Sequence, residues 1–259
     1  MLFSFIVALL FTLQPSHALE SNDLASDAIY AGAPVGATGQ AWKSTVRLLY
    51  SGTFCSGVLI SYNAILTAAH CPVPSGEQIT VQFFKDNDPE KVENLNLEAD
   101  EFRNVAHPAY RPIRNGQVGS NDLRLIIIKG EKTIPDGFDA ASLQTSDNVA
   151  ASDPGRPAIV VGAGLINDRT RADRLRFVRG TVSGYLNDGV ITVGFRYGTG
   201  VCGGDSGGPV FVLGRRGELL LTGITNSSAS IYGRECGGPL NLSGINARVY
   251  SWIQKEISK

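Results

Sequence analysis

Residues Thr199 to Val210 have the composition of a site for nucleophilic chemistry: Thr-Gly-Val-Cys-Gly-Gly-Asp-Ser-Gly-Gly-Pro-Val, with five glycines around one serine. Glycine lets a turn adopt positive φ, and a turn of that kind leaves backbone N–H groups unpaired. A hydroxyl displayed beside free N–H donors suits acyl transfer, because the attacked carbonyl oxygen becomes an oxyanion that must be stabilised where it forms. Ser206 is therefore the candidate nucleophile.

A serine hydroxyl stays inert until a base takes its proton. The chain has three histidines, His17, His70 and His107, and none follows Ser206. That excludes the order serine, acid, histidine of the α/β-hydrolases, although Gly204 to Gly208 fits their G-x-S-x-G pattern. Asp23 and Asp27 are the only aspartates before His70 and lie too near the start for the order aspartate, histidine, serine. What remains is histidine, aspartate, serine. His70 ends the apolar run Ala64-Ile65-Leu66-Thr67-Ala68-Ala69, whereas His107 precedes Pro108, which favours an extended loop. Asp122 stands directly before Leu123-Arg124-Leu125-Ile126-Ile127-Ile128, where the mouth of an apolar strand can hold a carboxylate. Asp86, Asp88, Asp100 and Asp136 lie in polar surroundings.

The blocks Thr67-Ala68-Ala69-His70-Cys71, Asn121-Asp122-Leu123 and Gly204-Asp205-Ser206-Gly207-Gly208-Pro209 resemble, in order and spacing, the signature blocks of the chymotrypsin-like (trypsin-like) serine proteases. The resemblance covers nearly everything from Ile29 onward. It implies an all-β fold of two six-stranded antiparallel β-barrels, with the active site between them and a short C-terminal helix. It also implies the roles. His70 acts as general base and then acid, Asp122 orients the imidazole, and Ser206 attacks the scissile carbonyl. The N–H groups of Gly204 and Ser206 form the oxyanion hole. Cleavage between Ala28 and Ile29 would free an ammonium able to turn inward and pair with Asp205, making the precursor a zymogen. Gly200 and Gly244 take positions in the primary pocket, and neither carries a charge, so the resemblance implies preference for an apolar rather than a basic residue. Three departures stand out: Ala28 where a basic residue is usual, Arg124 where a small residue is usual, and Ala163 where tryptophan is common.

The elements that must position these groups can be read along the chain. Residues 1–18 look like a secretory signal, with an apolar run from Leu2 to Leu13 and then Ser16-His17-Ala18. By the resemblance, residues 19–28 would be a short propeptide and 29–259 the protease domain. Short apolar or alternating runs punctuated by turn residues predict strands at Val46 to Tyr50, Cys55 to Ile60, Ala64 to Ala68, Ile79 to Phe84 and Leu123 to Ile128. A second set falls at Ala158 to Val161, Val190 to Val193, Pro209 to Leu213 and Leu219 to Thr225. These place the first barrel at about 29–130 and the second at about 145–248. Val249, Trp252, Ile253 and Ile257 recur at helical spacing and predict a helix over 249–259.

Four cysteines in an exported chain point to disulfides, and the resemblance selects Cys55 with Cys71 and Cys202 with Cys236. No C-x-x-C pair supports a metal site, and no cofactor is expected. A net charge of −1 without a basic run argues against nucleic acid as a partner. The expected partners are a protein or peptide substrate and an activating protease, with a secreted mature form that does not use a membrane. The competing function is that of a non-catalytic binding protein on the same scaffold.

Overall fold

The computed structural model describes residues 33–34, 39–73, 76–114, 119–144, 153–167, 169–186, 189–196, 198–214, 217–228 and 236–259. The expected leader and propeptide, with Ile29, fall outside the described residues.

Fourteen strands make two antiparallel sheets among the described residues. The first sheet contains β2 (Thr45–Tyr50), β3 (Thr53–Ser61), β4 (Ala64–Thr67), β5 (Ile79–Phe84), β6 (Val92–Leu97), β7 (Phe102–Ala106) and β8 (Arg124–Ile128), in the order β6-β5-β2-β3-β4-β8-β7. The second contains β1 (Ala33–Pro34), β9 (Pro157–Gly162), β10 (Arg176–Tyr185), β11 (Val190–Phe195), β12 (Pro209–Leu213), β13 (Leu219–Ser228) and β14 (Leu240–Gly244). Its order is β1-β10-β11-β14-β13-β12-β9, and β9 also pairs with β10, so six of its strands close into a barrel.

The mostly β, two-sheet architecture expected from sequence is present, with two differences of detail. The first sheet has seven strands, and no pairing joins its ends β6 and β7 among the described residues, so by hydrogen bonding it stays open. Ala33–Pro34, which the sequence division placed in the first barrel, pairs instead with Phe177 and Arg176 of β10 in the second sheet.

Local chemistry explains the elements. The turn between β2 and β3 is Ser51-Gly52, both at positive φ (44° and 77°), which gives a two-residue hairpin the twist of its strands. Strands β4 and β8 pair across Ala64–Ile127, Ile65–Ile126, Leu66–Leu125 and Thr67–Arg124. All four residues of β4 are buried, and so are the last four of β8, which is why both read as continuous apolar runs. One buried cluster runs through the first sheet and takes in Phe211, Leu221, Trp252 and Ile253. A second fills the closed barrel with Val160, Val182, Val193, Val210, Leu240 and Leu242.

The last helix, α2 (Ala247–Ile257), begins where Asn246 accepts hydrogen bonds from the N–H groups of Arg248 and Val249, each at 3.0 Å. It buries Val249, Trp252, Ile253 and Glu256. A short helix not expected from sequence, α1 (Gln40–Ser44), leads into β2. Losing the Asn246 cap in Asn246→Ala should cost about 1 kcal/mol, and a urea titration of the two chains checks it.

Candidate active site

The register of β4 against β8 brings His70 and Asp122, the candidate base and acid, together. Thr67 is paired with Arg124; continuing three residues past Thr67 reaches His70, and stepping back two from Arg124 reaches Asp122. Antiparallel strands run these steps toward the same end of the sheet. Asp122 Oδ2 lies 2.6 Å from His70 Nδ1, and Asp122 Oδ1 accepts the His70 backbone N–H at 2.8 Å. The carboxylate is 2% exposed and the imidazole 36%. Since a carboxylate only accepts, neutral His70 carries its proton on Nδ1, which leaves the Nε2 lone pair able to accept a proton. Ser243 Oγ accepts the N–H of Asp122 at 3.1 Å and so fixes the acid's backbone.

Arg124, the departure beside Asp122, braces this end of the sheet. It donates to Ala69 O at 2.9 Å, directly before the histidine, and to Asn104 Oδ1 of β7. Burial pushes its guanidinium below the ordinary arginine range.

Ser206 lies on the loop from Val201 to Gly208 that enters β12, and that loop is docked on β3. Ser56 N–H donates to Ser206 O at 2.8 Å, and Ser56 Oγ donates to Gly204 O at 2.9 Å. Cys71 Sγ, which has no proton in its disulfide, is 3.9 Å from Ser206 O. Both expected disulfides form, Cys55–Cys71 and Cys202–Cys236. The first ties β3 to the histidine segment and the second anchors the start of the serine loop. Two glycines are required by contact as well as by conformation. At Gly204 (φ +86°) a Cβ would sit 2.1 Å from Phe54 Cε2, and at Gly207 (φ +81°) one would sit 2.1 Å from Thr67 Oγ1.

Asp205 N–H donates to Cys202 O, Gly207 N–H to Thr225 O, and Gly208 N–H to Asp205 O. The N–H groups of Gly204 and Ser206 meet no protein acceptor among the described residues. The loop therefore leaves free the two donors that sequence analysis assigned to an oxyanion. The structure does not form a hydrogen bond between Ser206 and His70 among the described residues. Apo sites often tighten that contact only when substrate is bound.

Asp205 is fully buried. Its carboxylate accepts from Cys202 N–H and Gly164 N–H, each at 2.9 Å. Burial pushes its carboxyl up to about 7, against the downward pull of those two bonds and of Arg47. Of the two pocket candidates, Gly200 has φ +155° and its Cβ direction ends 2.8 Å from the Gly237 backbone. At Gly244 a Cβ would sit 2.8 Å from Ile191 Cδ1 and 2.9 Å from Gly189 O. Among the described residues no group of three or more His, Cys, Asp or Glu side chains is placed to hold a metal ion. Sequence reasoning missed Ser56, Ser243 and Arg47. All three act through backbone groups of distant segments and leave no spacing signal.

A mostly β molecule with a histidine–aspartate pair beside a glycine-rich serine loop defines a class of hydrolase, and comparison with known proteins agrees. The sequence profile of the Trypsin family matches residues 33–253, and the chain belongs to that family. Human kallikrein-8 is 26% identical over 232 residues, covering 84% of this chain and 82% of that protein. Brachyurin of Leptuca pugilator is 29% identical over 214 residues, covering 78% of this chain and 87% of the relative. Mouse serine protease 56 is 28% identical over 239 residues and 84% of this chain, which spans only 37% of that longer protein. The solved structure of neuropsin, a serine protease expressed in the limbic system of mouse brain, superposes with a TM-score of 0.66 at 23% identity. The match covers 87% of this chain and 98% of that one. The protein is a serine endopeptidase, and no described helix is long and apolar enough to cross a membrane.

The raised Asp205 value has a definite sign. The folded chain holds a proton that the unfolded chain releases between about 3.8 and about 7, so stability falls as pH rises through that window. Asp205→Asn should flatten this slope. Melting temperatures of both chains from pH 4 to pH 7 measure it, and parallel curves would reject the assignment.

Proposed function

We propose that this serine endopeptidase cleaves peptide bonds through Ser206, His70 and Asp122, with the Gly204 and Ser206 amides as oxyanion donors. The observation that carries the reading is the pairing of two features. A buried carboxylate holds Nδ1 of a half-exposed imidazole, and in the neighbouring loop the Gly204 and Ser206 amides meet no protein acceptor among the described residues. His70 takes the Ser206 proton on Nε2 as Oγ attacks the scissile carbonyl, and later gives it to the leaving amine. Asp122 holds the tautomer and stabilises the imidazolium. The negative oxygen of the tetrahedral intermediate lies against the two amides. Water then repeats the sequence on the acyl-enzyme.

The chain is exported by its leader and made as a zymogen, activated by cleavage before Ile29. Burial of Asp205 supports this part, because a carboxylate so costly to ionise gains most from a new cation. The substrate is a protein or peptide, and the primary pocket takes an apolar residue. An acidic side chain at Gly200, the means of recognising arginine or lysine, would need φ +155° and would run into the Gly237 backbone.

Ser206→Ala should abolish both turnover and labelling by a fluorophosphonate, and full activity in that variant would overturn the reading. Asp122→Asn should lower kcat by about 10⁴-fold. A peptide library should be cut after apolar residues, each favoured by about 1 to 3 kcal/mol over smaller ones. Cleavage mainly after arginine or lysine would refute the pocket assignment.

A further inference from the structure

Arg47 is the charged residue that the mechanism above leaves without a task. It lies in the middle of β2, is 6% exposed, and points from the first sheet into the second. Its Nε donates to Ala163 O at 3.1 Å, its Nη1 to Gln82 Oε1 at 3.3 Å, and its Nη2 to Ala172 O. The guanidinium carbon sits 4.9 Å from the Phe84 ring centroid and 6.0 Å from that of Phe54. Three acceptors and two aromatic faces hold it in one orientation.

The Ala163 carbonyl belongs to the same peptide unit as the Gly164 N–H, and that N–H donates to Asp205 Oδ1 at 2.9 Å. One peptide group therefore has a guanidinium on its oxygen and a carboxylate on its nitrogen. Each end polarises the group in the sense that strengthens the bond at the other. The Ala163 N–H, in turn, donates to Ser56 Oγ at 3.1 Å, the hydroxyl that donates to Gly204 O. The Leu165 N–H donates to Gly203 O at 2.8 Å. Phe54, against which Arg47 rests, is the ring whose edge fills the space beside Gly204. The routes from Arg47 through Ala163 and Phe54 thus end on Gly204 and Asp205.

We propose that Arg47 is a positioning residue for the oxyanion loop: its charge, relayed through the Ala163–Gly164 peptide, holds Asp205 and so aims the Gly204 N–H. The assignment rests on the reading of Gly204 and Ser206 as the oxyanion donors. It also explains why a cation is kept in so unfavourable a place. Burial, with Arg171 adding to it, lowers the guanidinium to about 10, while Asp205 and Asp173 pull the other way. An isolated buried charge would be expensive, and one facing a buried carboxylate across a shared peptide is compensated.

The test compares Arg47→Met and Arg47→Lys, each alone and combined with Asp205→Asn, with active sites counted by fluorophosphonate titration. In the Asp205 parent, Arg47→Met should lower kcat per titrated site by about 10- to 100-fold, with KM changed less than about twofold. Arg47→Lys should recover most of that loss. Combined with Asp205→Asn, the further effect of Arg47→Met should fall below about threefold. Unchanged kcat per site, with loss only of titratable sites or melting temperature, overturns the proposal. So does an equal loss of kcat in both backgrounds, or a lysine variant as impaired as methionine. A parent chain that turns over peptide yet is not labelled at Ser206 defeats the underlying site reading instead.

Discussion

The buried side chain of Ser56 is where the two halves of the molecule are fastened. Its amide binds Ser206 O, its hydroxyl binds Gly204 O and accepts from Ala163 N–H, and its carbonyl accepts the Thr67 hydroxyl at 2.8 Å. A single residue of β3 thereby touches the strand that leads to the histidine, the loop that carries the serine, and the turn beneath that loop. The candidate catalytic groups come from different sheets, and Ser56 joins Arg47 and Ser243 in fixing the placement of those sheets beyond what non-directional apolar packing would. Hydrogen bonds to fixed backbone atoms convert that placement into a defined distance and angle. Glycine at 204 and 207 is the other half of the same constraint, because sheets and loop approach so closely that a Cβ at either position would collide with Phe54 or Thr67.

Charge is handled by a similar economy. Asp122 is almost fully buried yet has two partners on one histidine. Asp205 is buried without a direct side-chain cation among its described hydrogen bonds and relies on two amides. The contrast fits different duties. In the proposed mechanism the first carboxylate faces the imidazole that takes up and returns a proton, whereas the second stands away from the reacting groups and holds the loop.

How much of this was legible depended on which force fixes each feature. Strands β5 and β12 could be read to the residue, since apolar runs bounded by polar or glycine-rich turns leave little freedom. Strands β6 and β7 escaped because they form the edges of their sheet and carry Glu93, Asn94, Asn96, Arg103 and Asn104, the polar content that edges tolerate. The long β10 and β14 are interior strands, and they escaped because Arg176, Arg179, Gly180 and Gly184 interrupt the first, while Ser243 and Gly244 cut the Leu240-Asn241-Leu242 alternation of the second short. His70, Asp122 and Ser206 could be singled out because only certain side chains can do their chemistry and the chain offers few in a workable order. Ser56 and Arg47 could not, since they act on the carbonyls of Gly204 and Ala163, atoms every residue has. Only the folded chain says which carbonyls matter.

Helix α2 follows the closed barrel in the chain but packs back on the open sheet. His107, just after β7, stacks edgewise on Trp252 at 4.8 Å, and Arg103 of β7 pairs with Glu256 at 2.7 Å across 153 positions of sequence. The earlier half is thus sealed by residues synthesised long after its own strands. During biosynthesis that half emerges with its β7 margin uncovered, and its native order is completed only when the later half has been made.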